Sequence, residues 1–481
     1  MKRLPFLLTA LCAVLPAALF ARAETVPAQG SVPLFESLPV LVSRTANAAD
    51  TLPRKGTLGA SFAPVSEEVR AANSMQPGAG LLVTTVSAGL TADKAGLKPG
   101  DVLVSLNGTA AGPGRLGALI RDLKTGQEIT FVVVRAKETL TLKANYTEKP
   151  RDPGNANYDV IYSHVVSNGA RMRTIITVPK KPGKHPALFF IQGFSPISYD
   201  FTLETATGDV NSLDGPILFE FANSNYVTVR VEKPGVGDSE GGPFETMDFT
   251  TELDIYRQAM KQTMEHPAVD KDNVFIFGHS MGGSFGPVVA SEFPVKGLAI
   301  YGSAMRTWFE YMLDITRYQG LLAGRSAADT DEVMRVSARL FALVFFEKMT
   351  VAQISAKYPE LAGAAQQTFP NDTFSGKTLA FWRELNDTNF PRYLAQMKGH
   401  VLAVRGQSDF VTYDLCHQLM ADTVNAARPG FGKFVSLPNS DHLFHNWATE
   451  KEAQVGYSRG KFNPAFTKLM MSWTKEIMNR P

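Results

Sequence analysis

Val274-Phe-Ile-Phe-Gly278-His279-Ser280-Met281-Gly282-Gly283 is the stretch that decides how this chain is read. An apolar, strand-like run stops at a glycine, a serine follows two residues later, and two more glycines come after Met281. Residues 285–293 then read as a helix. A strand that turns too tightly for side chains at its flanking glycines, and passes straight into a helix, holds a serine Oγ out at the end of a sheet. The pattern G-x-S-x-G occurs twice, so it does not choose alone. The second copy, Gly237-Asp238-Ser239-Glu240-Gly241, sets its serine between two acids, which oppose a negative charge developing nearby. Gly242-Pro243 follows it and cannot run on directly into a helix. Ser280 is therefore the candidate nucleophile, and Ser239 is not.

A serine hydroxyl needs a histidine base, and that histidine needs an acid to fix its tautomer. In an open parallel sheet these groups belong at the carboxyl ends of strands. Of eight histidines, His164, His185 and His400 fall within or at the start of strand-like runs, His266 at a helix end, and His417 within a helix. His279 adjoins Ser280 but must point away from it through the turn. Pro438-Asn-Ser-Asp441-His442-Leu-Phe-His445 directly follows the last strand-like run, and His442 at its apex is the candidate base. His445 lies about one turn further on, and Asp441, as a neighbour in sequence, rarely faces His442. Val401-Leu-Ala-Val-Arg405-Gly-Gln-Ser-Asp409 supplies the acid in the order strand, turn, Asp409. An oxyanion needs two backbone donors. The N–H of Met281 is one, and the N–H of Phe194, after Ala187-Leu-Phe-Phe-Ile-Gln-Gly193, is the other; Gln192 or Tyr199 could assist.

The rest of the chain supports a two-part organisation. Lys2-Arg3, an apolar run from Leu4 to Phe20 and Ala21-Arg22-Ala23 have the form of a secretory leader (residues 1–23), implying a periplasmic or secreted protein with no transmembrane segment after cleavage. Loss of its three basic residues leaves a chain close to neutral, with nothing to favour nucleic acid or an anionic membrane. Cys416 would then be the only cysteine, so no intrachain disulfide could form. A Pro-, Ala- and Ser-rich linker (24–55) precedes a small β-rich domain (56–148). From Tyr158 onward, apolar β-branched runs alternate with helices, which predicts a mostly parallel α/β sheet (149–481). Ser167-Asn168-Gly169 joins the first two runs as a hairpin, so the sheet starts antiparallel. A helix-rich, aromatic insertion without a good strand (about 303–396) interrupts the sheet.

Ala95-Gly-Leu97-Lys-Pro99-Gly100-Asp101-Val-Leu103, with Leu106-Asn107-Gly108, resembles the bacterial type of PDZ domain over roughly 90 residues. The resemblance implies that Leu97 packs in the core and that Pro99-Gly100-Asp101 turns. It also implies that Leu58, Gly59 and Ala60 form the loop that receives a protein C-terminus. Residues 158–481 resemble the α/β-hydrolase superfamily through Gly278-His-Ser-Met-Gly-Gly283, Lys233-Pro-Gly-Val-Gly-Asp-Ser-Glu-Gly241, Gly406-Gln-Ser-Asp409 and Ser440-Asp-His442. His266-Pro-Ala-Val-Asp-Lys-Asp-Asn273 is similar to the prolyl-oligopeptidase clan and its related esterases. Gln192-Gly193 departs from the His-Gly-Gly of one lipase and esterase group. The superfamily implies an ester, thioester or amide hydrolase that works through an acyl-enzyme with no cofactor; the insertion reads as a helical cap, and no metal site is expected. Three functions follow. The first is a serine esterase acting on small or medium acyl esters. The second is a peptidase or aminopeptidase, with Glu310 and Asp314 available to hold an amine. The third is a PDZ-mediated binding protein with a silent hydrolase domain.

Overall fold

The computed structural model describes residues 52–73, 75–76, 79–113, 115–202, 214–457 and 459–480. The expected leader and most of the expected linker lie outside the described residues. The chain divides into two compact units, Pro53–Arg151 and Asp152–Pro481, each taken by itself.

In the first unit, five antiparallel strands run in the spatial order Ala60–Pro64, Leu81–Val86, Val102–Leu106, Glu128–Arg135 and Glu138–Asn145. Leu58, Val83, Leu97, Leu103 and Phe131 form their core. The Lys98–Asp101 turn is closed by the Asp101 N–H donating to the Lys98 carbonyl. It is reinforced by Asp101, whose carboxylate accepts from the Lys98 N–H at 2.8 Å and pairs with Arg135 at 2.6 Å. Leu58 is a core residue, and the Gly59 N–H donates to Thr57 Oγ1 at 3.1 Å. One donor of the expected peptide-receiving loop is thus held within the chain.

The second unit is built on eight strands: β1 (Tyr158–Ser167), β2 (Ala170–Pro179), β3 (His185–Ile191), β4 (Val227–Val231), β5 (Val269–His279), β6 (Gly297–Tyr301), β7 (His400–Gly406) and β8 (Gly432–Leu437). Their spatial order is β8-β7-β6-β5-β3-β4-β2-β1. β1 and β2 form the expected hairpin, with Ser167 opposite Ala170 and Asn168 and Gly169 both at positive φ, as a type I′ turn demands. β2 also runs antiparallel to β4, and every other neighbouring pair is parallel.

Alternate strand residues feed two cores, which is why these strands read as continuous apolar runs. Phe189, Ile191, Ile276 and Ile300 face α2 (Phe249–Glu265) and α3 (Gly282–Glu292) on one side. Leu188, Phe190, Phe275 and Phe277 face the other side, with α1 (Gly215–Asn223) and with Phe466 and Trp473 from the C-terminal helix. The insertion leaves after β6 and returns at β7. Its longer helices are α4 (Trp308–Leu322) and α5 (Ala327–Phe345). A short hairpin, Thr373–Phe374 paired with Lys377–Thr378, was not expected from the sequence, because two-residue strands carry no periodicity.

Candidate active site

Ser280 sits in the turn between β5 and α3 at φ +54°, and its N–H donates to the Tyr301 carbonyl at 2.9 Å. Side chains have no room two residues to either side of it. A Cβ on Gly278 would lie 2.5 Å from the Gly282 carbonyl oxygen, and one on Gly282 would lie 2.0 Å from that of Ile191. His442 follows β8 and Asp409 follows β7. Ser280 Oγ is 3.0 Å from His442 Nε2, and His442 Nδ1 is 3.0 Å from Asp409 Oδ2. Since a carboxylate can only accept, Nδ1 carries the proton and Nε2 is free to accept from the serine. Asp409 and His442 are buried, whereas Ser280 is half-buried. A serine, a neutral imidazole and a carboxylate in this order can remove the serine proton as the oxygen attacks.

The surroundings fix each partner. Burial works against the charge on Asp409. His442, Arg405 and Thr412 more than offset it and hold the carboxyl well below the ordinary carboxylate range. Asp409 Oδ1 also accepts the N–H groups of Val411 and Thr412, at 2.7 and 3.1 Å. Arg405 donates to the Asp409 carbonyl at 2.6 Å, which anchors the loop itself. Behind the pair lies Gly302, at φ +61°. A Cβ there would come within 2.8 Å of His442 Nδ1 and 3.1 Å of Asp409 Oδ2. His417 accepts the Ser303 N–H on Nε2 at 3.0 Å and faces the Tyr413 carbonyl with Nδ1. Burial pushes it down to about 4, so it stays neutral in this role. His279 does point away from Ser280, as the turn requires. Its Nε2 lies 2.9 Å from the His442 carbonyl oxygen and its Nδ1 3.0 Å from Asp214. Burial opposes a charge there, but Asp214 outweighs it and the imidazole titrates above its ordinary value.

The neighbouring candidates are engaged elsewhere. Asp441 accepts the N–H groups of Leu443 and His445 and so shapes the loop that carries His442. Ser239 is buried and donates to the Glu232 carbonyl. Gln192 donates to the Val231 carbonyl and Tyr199 to Asp214, so neither is placed to assist an oxyanion. Glu310 closes a capping box with Thr307 at the start of α4, and Asp314 pairs with Arg306, so both carboxylates expected to hold an amine have local partners. The N–H groups of Met281 and Phe194 donate to no acceptor in the hydrogen bonds of the described residues. The Phe194 ring packs on Trp382 and Phe381 of the insertion. Among the described residues no cluster of three His, Cys, Asp or Glu could hold a metal ion. No described helix is long and apolar enough to cross a membrane.

Residues 189–453, more than half of the chain, match a model described as alpha/beta hydrolase family. The chain belongs to that family. Residues 56–145 match a PDZ domain model. An esterase named EstD from Thermotoga maritima is 23% identical over 170 residues, 34% of this chain and 38% of the relative. An uncharacterized peptidase named YtmA from Bacillus subtilis is 27% identical over 148 residues, 30% of this chain and 51% of the relative. A probable periplasmic serine endoprotease, DegP-like, from Hahella chejuensis is 33% identical over 100 residues, 21% of each chain. The chain thus spans a fifth to a half of the length of these curated relatives. Among solved structures, Est1E from Butyrivibrio proteoclasticus with bound ferulic acid aligns over 66% of this chain and 97% of its own, with a TM-score of 0.41 and 15% identity. The chain thus carries an alpha/beta hydrolase family domain and a PDZ domain.

Proposed function

We propose that the protein is an exported serine hydrolase that cleaves carboxylic esters through an acyl-enzyme. Ser280 attacks the ester carbonyl while His442 Nε2 takes its proton. Asp409 stabilises the imidazolium that results. The N–H groups of Met281 and Phe194 hold the oxyanion. His442 then protonates the leaving alcohol, and a water activated by the same imidazole releases the acid. The observation that carries this reading is the 3.0 Å approach of Ser280 Oγ to His442 Nε2, with Asp409 3.0 Å from the other ring nitrogen. The engagement of Glu310 and Asp314 in local pairs favours an ester over a peptide amine. Export rests on the leader-like residues 1–23 and agrees with the name of one relative, a probable periplasmic serine endoprotease. The PDZ domain at residues 56–145 is the candidate site for a protein C-terminus.

The test is active-site labelling with a fluorophosphonate, followed by turnover of p-nitrophenyl acyl esters against aminoacyl amides. Labelling and ester hydrolysis are expected in the full chain and absent from Ser280→Ala and His442→Gln. Labelling that survives Ser280→Ala rejects the nucleophile, and turnover of amides alone rejects the ester reading.

A further inference from the structure

Lys233 opens the loop after β4 and is buried, as are Glu252 on α2 and Lys377 in the hairpin of the insertion. Lys233 Nζ donates to the Gly193 carbonyl at 2.6 Å and the Phe194 carbonyl at 2.9 Å, and pairs with Glu252 Oε1 at 2.9 Å. Three ammonium protons meet three acceptors. Lys377 Nζ takes the other oxygen, Glu252 Oε2, at 3.1 Å, and donates to the Met247 carbonyl at 3.2 Å. Its ammonium lies over the rings of Phe244 and Phe381, 3.8 and 4.3 Å from their centroids.

We infer that Lys233, held by Glu252 and Lys377, is a positioning residue that aims and polarises the Phe194 N–H toward the oxyanion, so that the insertion helps set the rate of the chemistry. The carbonyl of Gly193 and the N–H of Phe194 belong to one planar trans peptide group and point opposite ways. An ammonium gripping that carbonyl therefore fixes where the N–H points. A Cβ built on Gly193 would sit 3.4 Å from Ser280 Cβ, which places this peptide beside the nucleophile. Hydrogen bonding a cation to the C=O also makes the N–H of the same group a stronger donor. Two lysines share one glutamate, so a positive charge is left beside the loop where negative charge would develop. Phe194 is braced as well, its ring 5.2 Å from Trp382 and 6.1 Å from Phe381.

The inference rests on the ester-hydrolase reading for its kinetic part, so the test has a second arm that needs no turnover. In the full chain, Lys233→Met should lower kcat for p-nitrophenyl acetate about ten- to a hundredfold, with KM within about threefold. Lys377→Met should give a smaller fall, and no further fall when added to Lys233→Met. A separate structural role for Lys377 would instead give additive losses. Crystal structures of both variants should show the Gly193–Phe194 peptide rotated from its wild-type setting. An unmoved peptide, an unchanged kcat in Lys233→Met, or additive losses would each overturn the inference. If wild-type protein shows no Ser280-dependent turnover, the ester reading fails, and the position of the peptide still decides whether Lys233 holds it.

Discussion

Gly302→Ala should cripple the site without unfolding the protein. The new Cβ would stand 2.8 Å from His442 Nδ1 and 3.1 Å from Asp409 Oδ2, the two ends of one hydrogen bond. Reaching an ordinary contact of 3.4 Å moves Nδ1 by about 0.6 Å and Oδ2 by about 0.3 Å. Their 3.0 Å bond then lengthens toward the limit of useful hydrogen bonding, and Nε2 turns away from Ser280. Displacements of this size cost roughly 10²-fold in rate, about 2.7 kcal/mol in the barrier. Loss of the acid altogether sets a ceiling near 10⁴-fold. An alanine held at φ +61° costs about 1 kcal/mol of stability, small against the roughly 5–15 kcal/mol of a folded domain. The assay is kcat on p-nitrophenyl acetate beside a thermal melt. A folded variant that keeps more than about half the wild-type rate would falsify the placement of Gly302 behind the working pair.

Other outcomes follow from the same geometry. Ser239→Ala should keep fluorophosphonate labelling but lose about 1–3 kcal/mol of stability. The buried hydroxyl donates to the Glu232 carbonyl and accepts the Arg173 N–H, and denaturant melts would register its loss. Glu310→Gln should leave ester turnover within about twofold, since its carboxylate serves a helix cap; a large drop in kcat would return it to the substrate site. Burial lowers Lys233 to about 8, with Glu252 opposing and Lys377 assisting the shift, and Glu245 and Asp248 acting on Lys377. Activity should therefore fall as pH rises through about 8. The same group binds fewer protons folded than unfolded, so its contribution to stability grows between about pH 8 and 10.5. A loss of activity that tracks unfolding in parallel melts would contradict this.

Much of the architecture was legible because its signals are local. The elbow glycines, the turn that ends in Asp409 and the loop that carries His442 each sit at the end of an apolar run. The hairpin at Ser167–Gly169 needed only two positive-φ residues in sequence. Long-range polar contacts were another matter. Lys233, Glu252 and Lys377 are ordinary surface-type residues in one dimension, and only the packing of α2 and the insertion buries them together. Gly302 carried a hint as the glycine that ends β6, but its reason lies in two loops that arrive more than 100 residues later. Glu310 carries a local signal. Thr307 followed three residues later by glutamate is a capping signature, and it accounts for that acid without a substrate.

The insertion leaves the sheet after β6 and returns at β7, and these strands are direct neighbours, with Ile300 opposite Ala403. Because the two strands run parallel, the insertion leaves at the carboxyl end of β6 and must cross the sheet to re-enter at the amino end of β7, four residues or roughly 13 Å away along the strands. The block above the carboxyl end can be traded between relatives with little change to the sheet, provided a crossover segment still returns the chain to the amino end of β7. Such trade would let the choice of substrate diverge while Ser280, Asp409 and His442 stay where they are. Lys377 limits that freedom here, because the block also reaches Glu252 with a buried ammonium. A transplanted block without a cation at that point would bring a new pocket and leave Glu252 half-neutralised. Any exchange engineered at residues 303–396 should carry Lys377 with it.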